Sequence, residues 1–423
     1  MNQTLEKLPS LLLIGNLESH LAQHELPEKG DVLFDLSDAC YVEAASLILI
    51  LALITKLQRE GRQLLLNLPH DKKVRDFLRS WRFPDAVFAQ TGRHFRSFTT
   101  KESHKYFGEN PTQRTNAPFA KHRLDSAGKQ LVEVNEGYYI PFQVYAREEH
   151  PFNDSLALAE CASWCGPFIW EVLTKLLNKD PDQLARHIVF EALVNAVRHP
   201  NASRIVGVSQ IGRRIAKNDV ATDTSNEDLS TGRSAKKTSP SHFTMIWWDD
   251  GESIIDTLRK PLSKGMPIRS VAIAKKRVFD VKISSFDGET IDKIRVETDM
   301  DLRGDTQEEL LLLSSVFPGV TRDPLAEAAV APASISTTPE SSYSGGQPGM
   351  GLYLLVNAAV DLYGGEVSFR SKNYFMNIKG STVRIKGSMT RGKGPYKVKI
   401  KKLLSSQAIP GNMVTVRMPL VHI

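Results

Sequence analysis

Apolar positions in the first ninety residues fall into short blocks of two alternating kinds. Asp31-Val-Leu-Phe-Asp-Leu36 is an apolar run of strand length, and Gln63 to Asn67 is a second. Between them, Ala44 to Leu57 carries long aliphatic residues throughout and ends before Gly61, while Asp71 to Arg79 is amphipathic. Blocks of this length and period predict strand, helix, strand, helix, and so a small sheet with helices packed on it. The run Ala44 to Ile54 is well short of the roughly 20 apolar residues needed to span a bilayer, so it predicts a buried helix and no membrane association.

Further along, Thr91 to Gly128 is polar and irregular and reads as a connector. Leu131 to Tyr145 alternates like strands, and Ser155 to Leu177 is a mostly apolar helical stretch interrupted at Gly166-Pro167. Arg213 to Ser241 and Asp323 to Gly349 are too polar or too rich in small residues to bury a core, and read as long loops. No internal repeat is visible. A chain of 423 residues exceeds one ordinary core. The pattern divides it into a first domain over 1–95, a connector over 96–150 and a larger domain over 151–423.

Composition changes this picture little. Hydrophobic residues at 41% and charged residues at 24% are those of a soluble globular protein. Met1 to Leu13 lacks the order of a signal peptide, and three cysteines cannot build a disulfide framework, so a cytoplasmic location is expected. Cys161 and Cys165 could share a helix face, but without His partners they read as buried apolar residues. The net charge of +6 matters because it is clustered: Arg370 to Lys402 is rich in Lys and Arg and contains no Asp or Glu.

Candidate chemistry begins at Asp180-Pro-Asp-Gln183, where Asp180 suits a helix cap, Pro181 the first helical position and Gln183 the partner reaching back. Along that helix Glu191, Asn195 and His199 recur every four residues on one face, and Val189, Leu193 and Ala196 lie on another. A carboxylate and a carboxamide on an otherwise apolar helix are costly to bury unless something binds them. The competing reading is a solvated helix face, and His199, beside Pro200, reads as structural. A second block, Phe243-Thr-Met-Ile-Trp-Trp-Asp-Asp-Gly-Glu-Ser-Ile254, is an apolar strand breaking into Asp249-Asp250-Gly251, by itself an ordinary turn. A third, Gly345-Gly-Gln-Pro-Gly-Met-Gly-Leu352, leads into an apolar helix to Tyr363 and can offer backbone amides to phosphate. The chain closes on Gly411-Asn-Met-Val-Thr-Val-Arg-Met-Pro-Leu420, which alternates like a strand.

These blocks carry a resemblance. Glu191-Ala-Leu-Val-Asn-Ala-Val-Arg-His199 is similar to the asparagine box of the gyrase/Hsp90/histidine-kinase/MutL (GHKL) superfamily, closest in flavour to the serine kinases that act as anti-sigma factors. Phe243 to Ile254 resembles the first glycine box, Gly349 to Gly365 the second, and the closing strand the last strand of the fold, all in the family's order. The resemblance implies a Bergerat-fold α/β sandwich with a mixed sheet covered by helices on one face, binding ATP and Mg2+. It implies Asn195 as the magnesium ligand and Glu191 as the carboxylate that positions or deprotonates the attacking group. It implies Asp249 as acceptor from the exocyclic amine of adenine. Gly251, Gly349, Met350, Gly351 and Leu352 would lie at the nucleotide, and Asn412 would stand near adenine where many members have threonine. Ser253 replaces the family's second glycine, which alters the turn. The span 255–348 would be the ATP lid, far longer than ordinary loops and holding strand-like and helical pieces at Val278 to Ile283 and Glu308 to Val316.

The first domain also carries a resemblance. Asp35-Leu-Ser-Asp-Ala-Cys-Tyr-Val-Glu-Ala-Ala-Ser46, followed by the aliphatic helix, looks like the STAS domain of anti-sigma-factor antagonists and sulfate transporters, over about Leu11 to Ala89. A generic three-layer fold is the alternative. Where the antagonists carry a phosphoacceptor serine, this chain reads Glu43, Ala44, Ala45, with Ser46 at the usual glycine. The expected function is a Mg-ATP-binding regulatory protein, an ATPase or phosphotransferase that couples nucleotide state to a protein partner. The alternatives are a non-catalytic nucleotide-gated binding module and an anti-sigma-factor-like serine kinase. Homodimers are frequent in the family, though no residue here carries that expectation. The basic stretch 370–402, with Tyr374, Phe375 and Tyr396 among its cations, reads as a hairpin inserted before the last strand that either binds nucleic acid or is solvated or partner-facing.

Overall fold

The computed structural model describes residues 3–24, 26–91, 139–148, 185–198, 201–213, 240–269, 277–298, 301–318, 320, 351–380, 382–385, 388–391 and 395–420. The helix start at Asp180, His199, Cys161, Cys165, Gly349 and Met350 lie outside these residues, as do the loop at 323–350 and most of 213–241.

The first ninety residues run β1 (Gln3–Lys7), β2 (Leu11–Leu12), α1 (Ile14–Gln23), β3 (Asp31–Asp35), β4 (Tyr41–Val42), α2 (Ala44–Arg59), β5 (Leu64–Asn67), α3 (Lys72–Ser80) and α4 (Phe83–Thr91). Strands β1, β3 and β5 form a parallel three-stranded sheet in that order. α3 starts where Asp71 accepts a hydrogen bond from the amide of Lys73 at 2.6 Å, which satisfies one of the free amides of a helix start. In α2 every residue from Ala44 to Thr55 is buried, and Leu57 with them. A helix hydrophobic all round must be covered all round. Its own unit covers one side through β5, α1 and α4, and the second half of the chain covers the other.

That second half runs β6 (Tyr139–Ala146), a wide helical turn at Ala185–Phe190 leading into α5 (Glu191–Arg198), then β7 (Arg204–Arg213), β8 (Pro240–Asp249), α6 (Ile254–Ser263), β9 (Ile268–Arg269), β10 (Val278–Ser284), β11 (Thr290–Glu297), β12 (Asp301–Leu302) and α7 (Glu308–Ser314). It continues with α8 (Gly351–Val356), extended by a wide turn over Asn357–Leu362, then β13 (Glu366–Lys372), β14 (Tyr374–Lys379), β15 (Thr382–Ile385), β16 (Ser388–Arg391), β17 (Tyr396–Lys402) and β18 (Ile409–Pro419). Nine of these strands form one sheet in the order β11-β10-β17-β14-β13-β18-β8-β7-β6, antiparallel except at β10–β17. The protein is therefore a mixed α/β structure built on a large, mostly antiparallel sheet. Helices cover its inner face: Leu193, Ile255, Leu258, Leu312 and Leu355 share one core with Trp247, Val367, Met376 and Val398 from the strands. No helix among the described residues is long and apolar enough to cross a membrane.

The structure bears on both expected insertions. The basic stretch 370–402 is not an appended hairpin: β14 and β17 are interior strands of the large sheet, and only β15 and β16 pair apart as a hairpin. Their alternation of cations with apolar residues has a simple cause, since Tyr396, Val398 and Ile400 point into the core while Lys397 and Lys399 point out. The described part of 255–348 is likewise built into the body of the fold. β10 and β11 extend the sheet, and α7 buries Leu311, Leu312 and Leu313 beside Phe317, whose ring lies 5.3 Å from that of Phe279.

The outer face of the sheet is covered as well, but only over part of its width. Met413 and Ile409 of β18, Trp248 and Ile246 of β8, Val206 and Val208 of β7 and Phe142 of β6 share one core with α2 and the rest of the first unit. The Phe142 ring stands 5.6 Å from Phe83 and 6.2 Å from Trp81, and its amide donates to the Trp81 carbonyl at 2.9 Å. Polar ties frame this seam. Gln407 Nε2 donates to the Glu18 carbonyl at 2.7 Å, Ser406 Oγ to the Leu21 carbonyl at 3.0 Å, and Lys56 Nζ to the Ser405 carbonyl. Arg370, 2% exposed, pairs with Glu18 at 2.7 Å.

The Arg370–Glu18 pair is the most exacting of these ties, because the Nε and Nη1 of Arg370 have no hydrogen-bond partner among the described residues. Glu18→Ala is expected to destabilise the fold by about 3–5 kcal/mol in urea unfolding, since it strands a buried guanidinium. Replacing both partners together, Glu18→Leu with Arg370→Met, is expected to recover most of that loss. Breaking the exposed Lys7–Asp38 pair should leave the unfolding curve unchanged.

Candidate functional site

Glu191 and Asn195 stand one turn apart on α5, and α5 lies against α8. Their meeting point is Gly351, the first residue of α8. A Cβ built there would stand 2.7 Å from Asn195 Nδ2 and 2.8 Å from Glu191 Oε2, distances at which side chains collide. Glycine is thus what lets the backbone of α8 rest directly on the two polar side chains. Asn195 Nδ2 donates to the Glu191 carbonyl at 2.6 Å, so the amide is oriented with its nitrogen engaged by its own helix and its oxygen available as an acceptor.

Glu191 is 4% exposed. Burial pushes its carboxyl up from 4.5 to about 7, only partly opposed by the positive charge of Arg198. Such a group exchanges a proton near neutrality, which is what a general base requires.

A second cluster forms where β8 meets β18. Trp247 packs in the core beneath the helices and Trp248 in the core shared with the first unit, so strand alternation sends Asp249 to the helix side and Asp250 to the other. Asp249 lies opposite Asn412 in the strand pair. Its Oδ1 accepts from the Gly251 amide at 3.0 Å, and its Oδ2 is 3.5 Å from Asn412 Nδ2. Asn412, buried, accepts at Oδ1 from the Ile254 amide at 2.8 Å and from Ser371 Oγ at 2.7 Å, and donates from Nδ2 to the Glu252 carbonyl at 3.0 Å. Asn412 thereby pins the turn after Asp249 to the last strand. Ser253, where the family pattern has glycine, caps α6: its Oγ accepts from the Asp256 amide at 3.0 Å.

Asp250 has a different task. It accepts from the Ser203 amide at 2.7 Å, the Arg204 amide at 2.8 Å and the Ser203 hydroxyl, and it pairs with Arg59 of α2 at 3.1 Å. Adjacent aspartates thus face opposite sides of the sheet, one toward the candidate site and one tied to the first unit.

Of the residues singled out by sequence, Glu191, Asn195 and Gly351 touch, while Asp249, Gly251 and Asn412 gather at the β8–β18 end. Leu352 is partly buried against the main core. Both clusters lie on the helix side of the sheet, and α5 packs on β8. Three participants were not singled out. Ser371, fully buried, has no local signal, since its role appears only through the β13–β18 register. Asp250 is distinguished from Asp249 only by strand parity. Gly411 has φ +70°, and a Cβ there would stand 1.8 Å from the Asp249 carbonyl oxygen. The signal for it was a Gly-Asn pair interrupting a strand pattern, which marks a close backbone approach.

Comparison of the chain with protein-family models, with curated proteins and with solved structures returns no match.

The raised carboxyl of Glu191 has a stability consequence with a definite sign. Between pH 4.5 and about 7 the native state holds a proton there that the unfolded chain has lost, so stability falls as pH rises through that window. Glu191→Gln is therefore expected to melt with wild type below pH 4.5 and to be more stable at pH 8, by about 3 kcal/mol. Thermal melts across the pH range read the difference. Gly351→Ala should lower stability at every pH, by about 1–3 kcal/mol, because its methyl group overlaps Asn195 and Glu191.

Proposed function

We propose that this protein is a Mg-ATP-binding regulatory protein of the GHKL type, with a Bergerat-like sandwich as its nucleotide-binding half and a STAS-like unit as its partner-coupling half. One observation carries the reading. A buried carboxylate and an oriented carboxamide meet a glycine whose missing side chain leaves both in contact with the backbone. Polar groups of these types at this spacing are costly in a core that binds nothing there.

The residues fit the group. Magnesium takes hard oxygen ligands, keeps several waters and is commonly held by one or two protein oxygens together with substrate phosphates. Asn195 Oδ1 would supply such an oxygen. No cluster of three or more His, Cys, Asp or Glu able to hold a metal occurs among the described residues, which suits a cation held mainly through the nucleotide. Bound Mg-ATP would supply the transferable phosphoryl group and the charge neutralisation that phosphoryl transfer needs. Glu191, with its carboxyl near neutrality, would accept the proton of the attacking water or hydroxyl. Asp249, held by Gly251 and Asn412 on the helix side, would accept from adenine's amine. Gly349, Met350 and Leu352 join this reading by their place in the glycine-rich block.

The first unit supports coupling rather than self-phosphorylation. Ser46 is fully buried and its hydroxyl donates to the Leu12 carbonyl at 2.8 Å, while Ala44 and Ala45 hold the preceding positions. The unit instead reaches the neighbour of Asp249 through Arg59 and Asp250. A nucleotide that shifts Asp249 would be felt by α2, and through it by a protein partner.

Calorimetry with ATP and magnesium tests the site. Wild type is expected to bind, Asn195→Ala to lose most of the magnesium-dependent part, and Asp249→Ala to lose at least tenfold in affinity; a wild type that takes up no nucleotide would refute the reading. Phosphate release, absent in Glu191→Ala and present in wild type, separates an ATPase from a module that only binds.

A further inference from the structure

We propose that the half of the large sheet's outer face left open by the described residues is a docking surface for the phosphodiester backbone of a nucleic-acid strand. The first unit packs on that face over β18, β8, β7 and β6. The remaining strands, β14, β17, β10 and β11, turn their other face to the core: Met376 and Ile378, Val398 and Ile400, Phe279 and Val281 are all buried beneath the helices. What they turn outward is set by register alone.

One row across the strands reads Asn377, Lys399, Lys282, Lys293. The row on one side reads Lys379, Lys397, Asp280, Arg295, and the row on the other begins Phe375, Lys401, Ser284. Neighbouring strands lie about 4.8 Å apart and same-face residues along a strand about 6.6 Å apart, so these cations are closely spaced. Like charges directly opposite each other weaken a strand pair, yet Lys399, Lys282 and Lys293 stand side by side.

Acids offset the flanking rows and not the central one. Lys379 pairs with Glu366, and Arg295 with Asp280 at 3.9 Å. Asp287, in the turn between β10 and β11, acts on Lys401 from the margin. Lys282, Lys293, Lys397 and Lys399 have no ion pair among the described residues. A run of unpaired cations at regular spacing complements a run of phosphates.

The rest of the face fits the same ligand. Asn377 and Ser284 offer polar groups for backbone oxygens, and Phe375, partly exposed beside Lys401, offers a ring on which a base can stack. A membrane surface is the poorer match, because the central row presents no aliphatic side chain to insert; the exposed Phe286 and Ile291 stand at the far edge, in the β10–β11 turn and at the start of β11. The lysines come from two distant segments, 278–297 and 374–402, and only the fold joins them.

Fluorescence anisotropy with the full chain and labelled mixed-sequence oligonucleotides, single-stranded DNA, single-stranded RNA and duplex, tests the surface across a salt series. Wild type is expected to bind at least one of them with an affinity that falls as salt rises. The triple variant Lys282→Ala, Lys293→Ala, Lys399→Ala should weaken that binding at least tenfold and reduce the log–log salt slope by about 2, from roughly 0.7 per lost phosphate contact on a single strand. Its melting temperature should not fall, since three opposed charges are removed. Lys72→Ala, Lys73→Ala, Lys264→Ala removes equal charge from exposed sites elsewhere and should bind as wild type. The proposal is overturned if wild type binds none of the strands, if both triple variants lose affinity equally, or if vesicles rich in phosphatidylserine are bound where oligonucleotides are not.

Discussion

Helix α2 has no polar face, and a helix of that kind cannot stand at a surface. Each large aliphatic side chain it buries contributes about 1.5–3 kcal/mol relative to exposure, and Ile48, Ile50, Leu51, Leu53 and Ile54 are all fully or almost fully buried. The three-stranded sheet of the first unit can cover only one side of the helix. The other side requires a second apolar surface, which the outer face of β18, β8 and β7 provides. The two halves of the chain therefore share a hydrophobic core, and the large sheet carries apolar residues on both faces over part of its width. Trp247 and Trp248, consecutive in sequence, belong to the two different cores that result.

That shared core explains why the polar end of β8 carries two aspartates. Where a strand separates two packed layers, successive side chains serve different layers. Asp249 faces the helices that bear Glu191 and Asn195, and Asp250 faces α2 and Arg59. The two residues are joined by one peptide bond, and Asp250 meets the first unit through its ion pair with Arg59. Coupling between the two sides would require a two-state element that both bias.

Four elements of the first unit were legible because each has a single cause visible in the sequence: apolar runs for β3 and β5, unbroken aliphatics for α2, and an amphipathic period for α3; β1, α1 and α4 carry weaker patterns and were not read. The spacing of Glu191 and Asn195 was legible for the same reason, since four residues is one helical turn. What was not legible depends on pairing between distant segments. An alternating Lys–apolar strand looks the same whether it ends in a free hairpin or lies inside a sheet, so β14 and β17 gave no sign of joining β10. Ser371 and Asn412 meet only through the register of β13 with β18, and Arg370 gave no sign that its partner, Glu18, lies near the other end of the chain. The contact of Gly351 with the asparagine helix was suggested only by resemblance, because a glycine-rich run does not say what rests against it.

The charge pattern of the sheet follows from the same division of its outer face. Over β18 and β8 the first unit requires apolar residues, and the sequence supplies Met413, Trp248 and Ile246. At the margin, on β13, it supplies the single buried arginine that Glu18 satisfies. Beyond that margin nothing among the described residues covers the face, and the outward positions become mostly polar, with three lysines side by side in the central row. The absence of any acid from Arg370 to Lys402, a segment that supplies two of the open strands, goes beyond what solubility asks of a surface. Three lysines set side by side in the central row of that open face are the feature that the proposed anionic ligand accounts for.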